Sequence, residues 1–300
     1  MRIFFVLLVC VTFPLLLRAQ PSGRLRTLSE AEIQARNANA KPLTNDSIVL
    51  AVAQLRVYAD SMARGSNDAI RKAYCALFNP LLLDILQTPI SFDFPFDSLK
   101  TLSALKSPDG QVRIYTWFLQ SRDQGTFEYF GVVQRRNTQT GRFSAKGLIE
   151  KKHATDFAEI NLLDVDEWYG AVYYEIIERK INKQNCYFLL GWHGHDRLST
   201  RKVIEVLSFD FWDNAEFGMP VFSGQPGPKV KHRVVFEFAS GAVMLLRYDR
   251  KQRMIVFDHL SPANPSLKGN FGSYGPDFTY DGYRFKKGKW VYRKNLDLRN

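Results

Sequence analysis

The residue types best suited to chemistry in this chain are its histidines and the carboxylates beside them. His193 and His195 lie two apart in His193-Gly194-His195-Asp196. In extended backbone, side chains two apart share a face, so both imidazoles would point to one side, as a metal ion requires, with Asp196 as a further oxygen donor. Gly194 and Asp196 are equally turn formers, and nothing in the spacing fixes the ring orientations. The segment therefore reads as a connector between strands that presents His193, His195 and Asp196 for binding, and no metal or other cofactor is assigned to it.

Asp258-His259-Leu260-Ser261 offers an acid, a base and a hydroxyl. On a strand His259 and Ser261 share one face while Asp258 points to the other, so Asp258 cannot orient the imidazole. No Gly-x-Ser-x-Gly elbow or comparable nucleophile setting accompanies them, so a hydrolytic triad is not assigned. The plain reading is a strand end leading into the 262–265 loop, with His259 bonded to backbone, and His259 is kept as a fourth binding candidate. Asp164, Asp166 and Glu167 beside Trp168 and Tyr169 have the residue types of a glycosidase carboxylate pair with an aromatic sugar platform. They fit equally a short helical turn around a half-buried Trp. The glycine-rich run 269–275 lacks the lysine and the strand-to-helix setting of a phosphate loop, and is read as a plain loop.

Such residues act only if rigid elements hold them. Ile48, Val52, Leu55, Ala59 and Met62 recur every three or four positions, which predicts an amphipathic helix over 45–62 with Gly65 as its stop. A second helix is expected from Asp68 to Asn79-Pro80, where Asn can cap and Pro can open a third helix running to Thr88-Pro89. One apolar face on each helix means that the segment 45–88 packs against the rest of the chain. Upstream, residues 20–44 are polar, with Ser29 and Glu32 spaced as a capping box.

After Pro89 the pattern changes to period two. Candidate strands are 112–119, 127–134, 142–149, 171–178, 186–192, 203–209, 230–238, 242–248, 254–260, 283–286 and 289–292. Their connectors are short and rich in turn formers, as in Asn-Thr-Gln-Thr-Gly at 137–141 and Asn-Lys-Gln-Asn at 182–185, so neighbouring strands pair as local hairpins. The expected fold class is mainly β, an antiparallel meander over 89–300 built as a sandwich, a barrel or a partial propeller, with the helical segment packed on it.

Ser107-Pro108-Asp109-Gly110, followed by Gln-Val-Arg-Ile-Tyr-Thr-Trp, resembles the strand motif of TolB-type periplasmic propellers, a likeness confined to this single copy. The stretches Tyr187-Phe-Leu-Leu-Gly-Trp192, Ile255-Val-Phe-Asp-His-Leu-Ser-Pro262 and Phe285-Lys-Lys-Gly-Lys-Trp-Val-Tyr292 look similar to uncharacterised exported bacterial proteins of comparable length. That resemblance implies export and brings no particular activity.

Export is also what the first residues predict. Met1-Arg2, an apolar run from Ile3 to Leu17 and the small Ala19 have the form of a secretory signal peptide, 1–19, and the run is shorter than the roughly 20 residues a membrane span needs. The processed chain is expected to be soluble, in the periplasm or secreted. With 300 residues, 45% of them hydrophobic and 14% aromatic, it can bury a large core. Its net charge of +11 falls to +9 when Arg2 and Arg18 leave. Export and the scattering of Lys and Arg argue against nucleic acid and make an anionic envelope glycan, a lipid head group or another envelope protein the more natural counterpart, while a basic solvated surface with no specific partner is the plainer reading of the charge. Cys75 and Cys186 remain after processing; a single bridge and two buried thiols are both open, and their separation excludes a cysteine-based zinc site. The functional expectation is a non-enzymatic binding or assembly module, with a glycan or ester hydrolase, metal-dependent or not, as the alternative.

Overall fold

The computed structural model describes residues 44–151, 158–225, 227 and 229–298; the expected leader 1–19, the polar segment up to residue 43 and the Ser29/Glu32 box lie outside them. Helix α1 (Asn45–Arg64) starts on a reciprocal cap, in which Thr44 Oγ1 accepts from the Ser47 N–H and Ser47 takes up the Thr44 N–H, and it stops at Gly65. Its buried residues are the five that the spacing selected. Helix α2 (Asp68–Leu86) is capped by Asn67 and does not end at Asn79-Pro80 as expected; it runs through Pro80 as one element. A proline normally breaks a helix because it removes an N–H and crowds the preceding turn. Here packing overrides it: Phe78, Leu82, Leu83 and Leu86 are buried, and Asn79 Oδ1 accepts from the Trp117 indole N–H at 3.1 Å.

Three sheets follow. The first is a sequential antiparallel meander of β1 (Ser103–Lys106), β2 (Val112–Gln120), β3 (Phe127–Arg136) and β4 (Phe143–Ile149). The second contains β5 (Val172–Ile181), β6 (Gln184–His193), β7 (Ser199–Phe209) and β11 (Val234–Ala239) in the order β11-β7-β6-β5, with the short β8 (Ala215–Phe217) also on β7. The third joins β12 (Leu246–Asp249), β13 (Met254–Pro262), β14 (Tyr274–Lys286) and β15 (Lys289–Arg293), extended by β9 (Phe222–Ser223) parallel to β15 and β10 (Val230–Lys231) beyond it.

Side-chain alternation stacks these sheets. On β2, Tyr115, Trp117 and Leu119 pack under the helices, while Val112 and Ile114 face the second sheet. On β6, Tyr187 and Leu189 meet the first sheet, while Cys186, Phe188 and Leu190 meet the third, with Phe222, Tyr283 and Trp290. The order is helices, first sheet, second sheet, third sheet, and the two inner sheets are apolar on both faces. None of the three sheets closes on itself, so the mainly β expectation resolves into a face-packed stack of meanders and not a barrel.

The departures have local causes. The expected strand 230–238 divides into β10 and β11 of different sheets, because between them Arg233 is fully buried and turned onto Glu205, Nε to Oε2 at 2.8 Å, with further bonds to the carbonyls of Ala158, Asn161 and Phe217. Only the end of the expected strand 242–248 pairs, as β12. β14 begins at Tyr274, well before the expected 283, and takes in the end of the glycine-rich run. Cys75 and Cys186 are free, and each lies in a different core. Among the described residues no helix is long and apolar enough to cross a membrane.

Because the hairpin-connected strands pair antiparallel, their turns alternate between two ends of the stack. The 107–111 and 182–185 turns meet where Asp109 Oδ2 accepts from Asn185 Nδ2 and Tyr187 Oη, both at 2.7 Å, and the 137–141 and 210–214 turns meet through Asn137 Nδ2 and Asp213 Oδ2 at 2.7 Å. At the opposite end, Arg197 donates to the Asp123 carbonyl at 2.6 Å and the Ser240 N–H to that of Leu198 at 3.0 Å, which joins turns 121–126, 194–198 and 239–245.

Candidate functional site

The connector that carries the histidines is shorter than the expected strands 186–192 and 203–209 leave it. His193 is the last residue of β6 and Ser199 the first of β7, so only 194–198 bridge them. His193 is buried, its ring stacked on Tyr129 with centroids 4.6 Å apart and tilted against Tyr169 at 5.5 Å. Its Nδ1 accepts the His195 N–H at 3.0 Å. Burial first, then the Arg201 charge, push its pKa down to about 3, so the imidazole is neutral at ordinary pH. Gly194 permits this turn, since a Cβ there would sit 2.5 Å from the Phe127 ring.

His195 takes a left-handed backbone, φ 54°, and its ring lies tilted beside that of His193, with centroids 6.0 Å apart. Its Nε2 lies 3.0 Å from Arg201 Nη2, 3.5 Å from Asp196 Oδ2 and 3.7 Å from Glu237 Oε1. Burial and then the guanidinium hold His195 below the usual histidine range. Arg201 is in turn fixed by Glu237, Nε to Oε2 at 2.8 Å, and Ser199 Oγ donates to the same carboxylate at 2.6 Å. Asp196 Oδ1 accepts from the N–H groups of Leu198 and Ser199; burial alone would raise its pKa, but these bonds hold it below the ordinary carboxylate value. One histidine nitrogen thus holds the turn and another faces a cation. Among the described residues no cluster of three His, Cys, Asp or Glu can hold a metal ion.

The connector forms one wall of a cleft of about 430 Å³ at this end of the stack. Gln120, Gly125 and Phe127 from the first sheet, Trp192, Thr200 and Lys202 from the second, and the segment 238–244 complete it. Trp192 is wedged edge-on against Phe118 and Phe127, with centroids 5.4 and 5.5 Å apart. Lys202 pairs across the ladder with Trp192 and lies over the Tyr174 ring at 5.3 Å. Burial holds its pKa below the usual lysine value. Among the described residues neither Lys202 nor Arg197 makes a salt bridge. Asp196 and Arg197 enter the lining, whereas His193 and His195 lie behind it.

His259 sits elsewhere, at a register shift on β13 between Asp258 and Leu260. It is bonded to a side chain and not, as expected, to backbone: its Nδ1 is 2.8 Å from Asp281 Oδ2, and that buried carboxylate also accepts from Tyr292 Oη and the Asn295 N–H. Asp258 points away, as the alternation required, and accepts the Leu245 N–H at 2.6 Å. Ser261 Oγ donates to Asp277 at 2.8 Å, not to the imidazole. His195 and His259 share no partner. The 164–169 cluster is no sugar platform: Trp168 is fully buried and donates to Tyr173 Oη, and Glu167 pairs with Lys151.

Lys202 and Trp192 were missed by sequence reasoning, although their signal was present. They are adjacent-strand residues one step inside the histidine connector, where a hairpin register would have paired them. No family model, no curated protein and no solved structure matches the chain.

Proposed function

We propose that this chain is an exported, non-enzymatic binding module that takes an anionic glycan in the cleft between the first and second sheets. The observation that carries the reading is the pair of cations in the cleft lining, half-buried Lys202 and exposed Arg197, neither in a salt bridge among the described residues, with Trp192 and Phe127 lining the same cleft. A desolvated cation favours an anion more strongly than a solvated one, and aromatic faces accept the C–H side of a sugar ring. The histidines contribute position and not chemistry, since His193 is buried and neutral and His195 faces Arg201. Export rests on the leader-type stretch from Ile3 to Leu17.

Calorimetric titration with an acidic oligosaccharide, oligogalacturonate, against a neutral cello-oligosaccharide tests this. Acidic chains should bind, and Lys202→Ala with Arg197→Ala should weaken them at least about tenfold. Equal binding of both sugars, or none of either, sinks the reading. The hydrolase alternative keeps one observation in its favour, the partly exposed His259 held by Asp281 as a general base is held. Turnover of p-nitrophenyl acetate that disappears in His259→Ala would move the assignment there.

A further inference from the structure

The end of the stack opposite the cleft carries a second feature. The turn between β7 and β8 projects Phe211 and Trp212 into water, 91% and 70% exposed, with their rings packed edge to face at 5.0 Å. The projection is rigid. Asp210 accepts from the N–H groups of Trp212 and Asn214, both at 2.8 Å, and Asp213, at φ 64°, is tied to Asn137 and Arg135 of the first sheet. A folded protein gains nothing by holding two large aromatic side chains side by side in solvent, so the turn is built to meet something apolar.

The surroundings say what. By strand register this tip lies beside the 182–183 turn, where Gln184 Nε2 donates to the Phe209 carbonyl, and Lys180 and Lys183 are exposed there. The β14–β15 turn reaches the same place, since a Cβ on Gly288 would stand 3.6 Å from Ile181, and it exposes Lys286, Lys287 and Lys289. The β12–β13 turn lies next to it in the third sheet and exposes Arg250, Lys251 and Arg253. None of these eight cations makes a salt bridge among the described residues, whereas Asp109, Asp210, Asp213 and Asp249 of the same turns are occupied by turn N–H groups, side chains or an ion pair.

We propose that this end docks on an anionic phospholipid surface, with Phe211 and Trp212 entering the interfacial zone and the lysine and arginine turns resting on the head groups. Trp and Phe prefer that zone because a ring can sit in the acyl boundary while its polar edge stays wet, and clustered cations add attraction that salt weakens. Nucleic acid could use the cations and stack a base on a ring, but the export expected from the leader-type stretch argues against that partner.

The full chain is mixed with vesicles of phosphatidylcholine and phosphatidylglycerol, and with vesicles of phosphatidylcholine alone. Co-sedimentation and tryptophan emission are then read. Trp117, Trp168 and Trp290 are fully buried, Trp192 is half-buried in the cleft at the opposite end, and no Trp lies in residues 1–43, so the part of the emission shift that is lost in Trp212→Phe reports on this end, while the apolar stretch 3–17 is common to every variant. The expected result is binding to the anionic vesicles with a blue shift. Phe211→Ser with Trp212→Ser should weaken it at least about tenfold, and Lys286→Glu, Lys287→Glu and Lys289→Glu by about fivefold or more for each lysine at low salt. Trp212→Phe should still sediment but lose the shift. Sedimentation without a shift in the parent chain overturns the proposal. So does a serine variant that binds as tightly as the parent while the glutamate variant does not, a result that would make this end a general polyanion surface. These positions are exposed, so unchanged thermal melts verify that each variant folds.

Discussion

His193 shows how much a residue's surroundings decide its chemistry. Its spacing from His195 has the form of a ligand pair and the rings do lie 6.0 Å apart, but His193 is buried on Tyr129 with its Nδ1 taken by the turn, and His195 Nε2 faces Arg201. Spacing was legible in the sequence; the groups that occupy the rings were not, since Tyr129, and Glu237 that fixes Arg201, lie far away along the chain. The burial has a consequence for pH. The folded pKa of about 3 lies below the ordinary 6.5, so the unfolded chain binds a proton that the folded one refuses. Stability from this site is full above about 6.5 and falls as the pH drops toward 3, by up to ~4 kcal/mol. His193→Phe keeps the stack and removes the proton. Urea melts at pH 7 and pH 4.5 should show a small loss at the higher pH, about 1 kcal/mol for the His195 N–H bond, and a shallower decline on acidification than the parent. A parallel decline in both proteins would mean that His193 is charged in the fold. The Glu205–Arg233 pair makes the opposite case, a charge kept inside by full bonding. Arg233→Met should cost about 3–5 kcal/mol by leaving Glu205 uncompensated, and adding Glu205→Leu should restore much of it. A double-mutant cycle with no coupling would show the two charges to be independent.

At the scale of elements, the parts that could be read were those with a clean period. α1 followed from five apolar positions and a glycine, and most strands of the inner sheets from runs bounded by turn residues. What escaped was set by contacts distant in sequence. α2 continues through Pro80 because Asn79 meets Trp117, and β10 and β11 separate because Arg233 seeks Glu205, neither of which local pattern contains. β14 runs through Gly275, Pro276 and Gly282, residues that local pattern counts against a strand and that this long strand on the outer sheet tolerates. The site was legible to the same degree: Asp196 and Arg197 lie in the cleft, while Lys202 and Trp192 depend on which strands pair. Asn79 offers a test of the tertiary account of α2. Asn79→Leu removes the acceptor of a fully buried indole N–H and should cost about 1–3 kcal/mol, more than the gain from a better helix former. A chemical melt as stable as the parent would place the continuity of α2 in the helix itself. The helical segment is equally needed by its neighbour, because Tyr115, Trp117, Leu119 and Val132 lie bare without it. A chain lacking residues 20–88 should therefore be insoluble or molten, and a soluble, cooperatively melting 90–300 fragment would show the helices to be an appendage.

For the whole molecule, the stacking order makes a strong statement about cooperativity. Each inner sheet contributes one face to one core and its other face to the next, so neither can open without exposing two cores at once. Polar links cross the same boundaries: Arg71 to the Gln120 carbonyl between α2 and β2, Asp109 to Tyr187 between the first two sheets, and Tyr174 Oη to the Leu246 carbonyl between the second and third. The third sheet is the place where this coupling could fail, because it packs on one neighbouring sheet only, its other face meeting the C-terminal segment at Leu296, and several of its strands are short. Against that, Phe222, Phe257, Tyr283 and Trp290 all enter the core shared with β6 and β7, and their burial is lost entirely if the sheet detaches. At about 25 cal/mol per Å² of apolar surface, four large aromatics outweigh the entropy released by freeing a few turns. The chain should then unfold in one transition, with far-ultraviolet dichroism, near-ultraviolet dichroism and tryptophan emission following a single curve. Site-resolved hydrogen exchange sharpens the test: central amides of β2, β6 and β14 should share one opening free energy. An earlier exchange of β14 with β2 and β6 still protected would mean that the third sheet is a separate folding unit, docked on a two-sheet core.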